Sequence, residues 1–129
     1  MPKKNTLNDN QLHDYYLSHF LRKASIIDSI AKLRKRNLKP IDSGEIAAND
    51  VKILDLKAKK ALHKAKKFAF EANTHSIEAP TPEQLDRLKE LVAKVEALNA
   101  NNAILSEVIE LTTETLTTFN NIHPDQSTA

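Results

Sequence analysis

The stretch from Pro82 to Asn120 reads PEQLDRLKELVAKVEALNANNAILSEVIELTTETLTTFN. After its first residue it contains neither glycine nor proline, the two residues that most often end a helix. Thr81 and Gln84 have the spacing of a capping box, and proline suits the first helical position. The stretch therefore predicts one continuous helix over residues 82–120, with a length of roughly 60 Å.

Core positions in this stretch recur at alternating spacings of three and four, which is the heptad pattern of helices that pack along a seam. Asn102 lies in the middle of the pattern, where a buried amide would fix the register of a coiled coil. Such a seam is hidden either in an oligomer or partner complex, or inside a bundle formed by the chain itself. This third-helix row consists of Leu88, Leu91, Val95, Leu98, Asn102, Leu105, Ile109, Leu116 and Phe119.

Two long helices are predicted upstream, over residues 8–37 and 43–73. The first ends before Pro40, which cannot continue a helix, and the second begins at the capping pair of Asp42 and Glu45. The second helix carries a strict heptad row in which five alanines would let a neighbouring helix approach closely. This second-helix row consists of Ala47, Val51, Leu54, Ala58, Ala61, Ala65, Phe68 and Ala72.

The second helix also contains LKAKKALHKAKKFAF, residues 56–70, with six lysines. Leu56, His63 and Phe70 form a second apolar line opposite the second-helix row. The lysines are either solvated beside acidic residues of the third helix, or they neutralise nucleic-acid phosphates or an anionic membrane surface. No helix-turn-helix is present, so nucleic acid would be held by its backbone. The candidate polyanion-binding residues are Lys57, Lys59, Lys60, Lys64, Lys66, Lys67, Arg34 and Arg36.

The charges are distributed unevenly along the chain. Residues 1–70 have sixteen Lys and Arg against seven Asp and Glu, a net +9, whereas residues 71–129 have three against ten, a net −7. Either the two halves neutralise each other inside one molecule, or each meets a partner of opposite sign.

Composition excludes several classes of protein. With one glycine and no cysteine, the chain has no glycine-rich phosphate loop, disulfide framework or catalytic thiol. No two of its five histidines have the i, i+4 spacing of a helical metal site. It lacks both an N-terminal apolar signal and a run of about 18 apolar residues that could span a membrane. We therefore expect a cytoplasmic protein that is not an enzyme and has no cofactor or metal.

These observations predict an all-α protein with a single domain of three long helices, arranged as an antiparallel bundle or coiled-coil hairpin, and a flexible tail at residues 122–129. The expected function is non-enzymatic: the chain oligomerises or binds a protein partner through the third helix. The alternative is a nucleic-acid accessory protein that contacts backbone phosphates through the lysine-rich second helix.

Overall fold

The computed structural model of the protein describes residues 3–125. The predicted all-α bundle is confirmed, but these residues form four α-helices rather than three. They are α1 (Asp9–Asn37), α2 (Ser43–Glu71), α3 (Pro82–Glu96) and α4 (Leu105–Ile122), preceded by a short 3-10 helix at Lys4–Thr6. Among these four, none has the length and apolar content required to cross a lipid bilayer.

Side-chain caps at the predicted starting points begin three of the helices. The Asn8 side chain accepts a hydrogen bond from the Gln11 amide at 2.8 Å and begins α1. Asp42 does the same for the Glu45 amide and begins α2. Thr81 and Gln84 form the expected capping box at the start of α3. Each cap satisfies backbone donors that the first turn of a helix leaves unpaired.

The predicted single helix over residues 82–120 is wrong, because α3 ends at Glu96 and the helix resumes only at Leu105. The connection, residues 97–104, reads ALNANNAI. Asparagine side chains compete with the helix by bonding to nearby backbone, and here the Asn99 side chain accepts from the Asn101 amide at 2.9 Å. Asn102 is exposed in this connection, so it cannot set the register of a buried seam.

A lysine from α1 stabilises the break. The Lys32 ammonium donates hydrogen bonds to the carbonyl oxygens of Glu96 and Leu98, at 2.8 and 2.7 Å. Arg36 donates to the carbonyl of Asn101 at 2.8 Å. These carbonyl groups would bond to amides of the next turn if the helix continued, so α1 supplies the donors that the interrupted helix lacks.

The break lets α3 and α4 pack against each other, and α1 packs against each of the other three helices. The third-helix row is thereby divided. Leu88, Leu91, Val95 and Phe119 are buried inside the molecule, Leu98, Leu105 and Leu116 are half-buried, and Ile109 and Asn102 are exposed.

Two apolar clusters form the core, towards opposite ends of α1. One gathers Ile26, Ile30, Leu33, Ile53, Leu56, Ile104 and Val108. The other gathers Tyr15, Leu21, Phe70, Ile77, Leu88 and Ile122. The predicted flexible tail is wrong at its beginning, because Ile122 and His123 are fully buried, while residues 126–129 lie outside the described part of the chain.

Candidate functional site: the exposed face of α2 and the basic groove beside it

The side of α2 that the sequence predicts to pack is the side that faces solvent. All eight members of the second-helix row are exposed, and Leu54 and Phe68 each retain 65% of their accessible surface. The opposite line packs inward instead, with Leu56 and Phe70 fully buried. The second-helix row, against which the sequence predicts a neighbouring helix, therefore stays uncovered within the described residues. The inward line wins because larger side chains remove more apolar surface from water than a row with several alanines does.

A groove lies between α1 and α2 beside this row. The two helices are antiparallel, since Arg36 bonds to Glu45 at one end of the pair and His19 bonds to the backbone of His63 further along. The groove has a volume of about 730 Å³, within the range of known ligand sites. Its lining combines aromatic rings (Tyr16, Phe20, Phe68), ammonium groups (Lys23, Lys57, Lys60, Lys64, Lys67), the histidines His19 and His63, Ala61 and Glu71. We call this site the basic groove.

The electrostatic balance of the basic groove is strongly positive. Five of its lining side chains are lysines, and Glu71 is the one carboxylate among the lining residues. Lys67 lies over the ring of Tyr16, with its ammonium 5.8 Å from the ring centroid, a distance that suits a cation–π contact. Phe20, at the mouth, retains 65% of its surface. The groove therefore offers apolar contact and positive charge together.

Two histidines stack at the floor of the basic groove. The ring centroids of His19 and His63 are 3.4 Å apart with the planes 28° from parallel. His19 Nε2 donates to the backbone carbonyl of His63 at 3.2 Å, whereas both ring nitrogens of His63 are buried without a hydrogen-bond partner. Burial lowers the pKa of His19 to about 4 and that of His63 to about 2, and neighbouring positive charges add to both shifts. Both rings are neutral at pH 7.

Behind the histidine pair lies a buried polar layer that includes Arg22, Lys66 and His123. The Arg22 guanidinium sits 5.1 Å from the Phe119 ring centroid, and its Nε and Nη1 atoms have no hydrogen-bond partner. Lys66 donates to the Asn120 side chain at 3.0 Å and to the His123 carbonyl at 2.7 Å, and it pairs with Asp125 at 3.0 Å. Burial lowers the pKa of both cations, that of Arg22 to about 10. Lys66 thus fixes the C-terminal end of α4.

The polar layer also includes contacts of His123 with Tyr15 and His75. The Tyr15 hydroxyl and His123 Nδ1 are 2.8 Å apart, and His75 Nδ1 lies 3.2 Å from His123 Nε2. Burial, followed by the charge of Lys66, lowers the pKa of His123 to about 3. Within residues 3–125, no group of three or more His, Asp or Glu side chains is placed to hold a metal ion. The layer ties α1, α4 and the linker after α2 together.

The candidate polyanion-binding residues separate into groups. Lys57, Lys60, Lys64 and Lys67 line the basic groove, and Lys59 is half-buried outside it. Lys66 is buried, as described above. Arg36 grips Glu45 with two hydrogen bonds, of 2.6 and 3.0 Å, and Arg34 is exposed near the end of α1. The structure brings together four of the eight.

The sequence patterns do not predict the contribution of α1 to this groove. Tyr16, His19, Phe20 and Lys23 lie on one face of α1, over two helical turns beside α2. Phe20 is indistinguishable by periodicity from the buried residues of α1, because its neighbour Leu21 continues the same stripe. The available signal was the width of that stripe, since apolar residues that cover too much of a helix cannot all face one core.

Comparison with known proteins gives no information about the function. No protein-family model, no characterised protein sequence and no solved structure matches this chain. The function is therefore argued from its own residues.

Proposed function

We propose that the protein is a helical interaction module that binds a protein partner through the exposed second-helix row and the basic groove, and that the bound segment is an acidic amphipathic helix. The observation that carries this proposal is the exposure of the entire second-helix row in a molecule where seven of the nine members of the third-helix row are buried or half-buried. A contiguous apolar face on a folded chain is typical of an interaction site.

The shape of the row supports a helical partner. It extends from Ala47 to Ala72, which corresponds to about 37 Å of helix. Its spacing of three and four matches the way in which two helices interlock along a seam. Alanines in the middle allow close approach, and Leu54 and Phe68 towards the two ends provide larger apolar anchors. A folded helix is therefore a better fit than an extended strand.

The charges around the row support an acidic partner. Lys57 and Lys64 each precede a row alanine and flank the seam, where a partner's charges would lie. Lys60 and Lys67 extend the positive charge into the basic groove. Two copies that met through this same face would bring lysines together, which disfavours that pairing. A partner with carboxylates beside its own apolar row satisfies both requirements. On the sequence grounds given above, we expect that partner in the cytosol.

A designed peptide tests the proposal. We expect a helix with leucine at the seam positions and glutamate at the flanking positions to bind the protein, and the same helix with lysine at those positions to bind at least tenfold more weakly. Changing both Leu54 and Phe68 to aspartate should weaken binding of the glutamate peptide by tenfold or more relative to the wild-type protein, which corresponds to about 1.4 kcal/mol. Fluorescence anisotropy of labelled peptides measures both effects.

The matched control is Leu38→Asp, which changes an even more exposed leucine at the C-cap of α1, outside the row. This variant should bind the glutamate peptide as the wild type does. Equal binding of the glutamate and lysine peptides, or equal losses in the row variant and the Leu38 control, would reject the proposal.

One observation favours a second candidate, a protein that binds single-stranded nucleic acid. Phe20, Phe68 and Tyr16 offer rings on which bases can stack, beside four lysines of α2 that can neutralise phosphates. The protein helix is preferred because the row continues to Val51 and Leu54, which do not line the groove and which nucleic acid would not need.

The two candidates differ in their dependence on salt. An oligonucleotide should bind less tightly as salt rises, with a slope set by the number of phosphates contacted, and should be lost on changing Lys60, Lys64 and Lys67 to glutamate. If an oligonucleotide binds in this way and the glutamate peptide does not bind, the second candidate replaces the first.

A further inference from the structure

The floor of the basic groove contains a buried histidine ring whose nitrogen atoms have no hydrogen-bond partner. His63 retains only 2% of its surface and neither of its ring nitrogens has a partner, although buried polar groups are normally paired. Its ring stacks on His19, and both rings belong to the wall of the groove. A polar group that enters the groove above this ring can act on it electrostatically, since few atoms lie between them.

The charged groups that face this pair are predominantly positive. From α1 they are Arg22 and Lys23, and Tyr15 contributes a hydroxyl that is bonded to His123. From α2 it is Lys67, whereas Lys66 is paired with Asp125 beyond α4. From α4, Phe119 presents ring edges to both histidines, with centroids 5.9 and 5.4 Å away, and His123 lies beyond it. Glu71, at the end of α2, lies in the groove wall.

We propose that this floor is a carboxylate subsite: a glutamate or aspartate of the docked partner sits over the stacked pair of His19 and His63 between Lys23 and Lys67, and docking takes up one proton from solvent onto the pair. The partner's carboxylate stays ionised, and the proton that enters makes one imidazole positively charged. The result is an ion pair in the groove in place of two neutral rings, of which the His63 ring has no hydrogen-bond partner. This inference rests on the proposed function, because it names the chemistry of one anchor of the acidic helix.

Electrostatics explains why the proton enters only with the partner. In the free protein, burial and the neighbouring cations keep both rings neutral. A carboxylate within a few ångströms favours the charged form of an imidazole, and so reverses the local balance. Since the bound state then holds more protons than the free state, affinity must increase as pH falls through the range above the acid transition of the protein.

Calorimetry with the glutamate peptide tests the inference. The peptide has blocked termini and no histidine, and binding is measured at about pH 6.5 in two buffers of different ionisation enthalpy, with the wild type shown to be folded by circular dichroism. The difference between the two apparent enthalpies, divided by the difference between the two buffer ionisation enthalpies, gives the number of protons taken up. We expect between one half and one proton per complex, and an affinity at least about twofold higher than at pH 8.

Variants locate the proton. The double variant with His19→Gln and His63→Gln should bind the peptide without proton uptake, whereas His13→Gln changes an exposed histidine of α1 outside the groove and should keep the uptake. If the buried variants fail to fold, imidazole NMR signals of the wild type provide the same information, since the pKa of His19 or His63 should increase when the peptide is added.

The outcomes separate this inference from the proposed function. Tight binding with no proton uptake and no change in either imidazole pKa overturns the carboxylate subsite and leaves the interaction module standing. Absence of peptide binding removes both. Proton uptake that persists when both His19 and His63 are changed also overturns the subsite, because the proton then goes elsewhere.

Discussion

Three buried histidines determine how the stability of this protein responds to acid. His19, His63 and His123 have pKa values lowered by burial to about 4, 2 and 3, against an ordinary value near 6.5. The unfolded chain therefore binds protons on these rings at a pH where the folded chain does not. The stability that they contribute is present above about pH 6.5 and is lost as pH falls towards the folded pKa values.

The loss of this stability as pH falls gives the first prediction. Between about pH 6 and pH 4.5 the free energy of unfolding should fall by about 1.4 kcal/mol per pH unit for each ring that gains a proton on unfolding. Urea unfolding followed by circular dichroism at several pH values measures the slope. His13→Gln, an exposed control, should leave the slope unchanged. A free energy of unfolding that is constant over this range would contradict the described burial of the three rings.

Arg22 gives the second prediction. Its guanidinium is buried with two nitrogen atoms unpaired, and such groups cost stability rather than supply it. We expect Arg22→Met to leave the free energy of unfolding unchanged or to raise it by about 1 kcal/mol, even though the contact with the Phe119 ring is lost. Thermal unfolding of the variant beside the wild type measures the effect, and a loss of more than about 2 kcal/mol would show that Arg22 has a buried counter-charge.

Among the helices, α1 and α2 were predictable and the division of the third predicted helix was not. The bounds of α1 and α2 follow from strong local signals, namely Asn8, Asp42 and Pro40. The end of α3 has no such signal, because asparagine is only a weak helix breaker. What makes the break stable is the set of hydrogen bonds from Lys32 and Arg36, which are about 65 residues away in sequence and become visible only after folding.

The orientation of α2 illustrates another limit. Its two apolar lines both have helical periodicity, and a heptad pattern does not tell which line faces the chain's own core. For the same reason, the sequence did not separate the four candidate polyanion-binding residues that line one groove from Lys66, which is buried. A lysine enters the core only where acceptors such as Asn120 and the His123 carbonyl await it.

The break in the third predicted helix gives the third prediction. Lys32→Met removes the donor for the carbonyls of Glu96 and Leu98, so the free energy of unfolding should fall by about 1–3 kcal/mol. Lys35→Met changes an exposed lysine in the last turn of α1 and should have an effect below about 0.5 kcal/mol. Urea unfolding of both variants provides the comparison, and equal losses would contradict the assigned role of Lys32.

For the molecule as a whole, the excess of positive charge in the first half stays largely uncompensated. Among the described ion pairs, Lys66–Asp125 joins the two halves, while Arg36–Glu45 lies within the first and Arg87–Glu114 within the second. The basic groove therefore keeps its positive charge for an external partner, as the charge distribution in the sequence allowed.

This imbalance gives the fourth prediction. A variant with Lys57, Lys60, Lys64 and Lys67 changed to glutamate presents the same apolar row with negative flanks. Mixed with the wild type, it should form a heterodimer, because apolar rows then meet with complementary charges. Sedimentation equilibrium should show the mixed dimer only in the mixture and only at low salt. Changing Leu54 to aspartate in both chains is the control and should abolish it.

The measurement that tests the account most directly is the solvent exposure of the two sides of α2 in the isolated protein. Methyl NMR with a soluble paramagnetic agent broadens signals of side chains that face solvent. We predict strong broadening of the Val51 and Leu54 methyl groups and almost none for Leu56 and Leu88. Protection of Val51 and Leu54 in the monomer, with broadening of Leu56, would mean that the second-helix row packs inside the chain, and no docking face would remain.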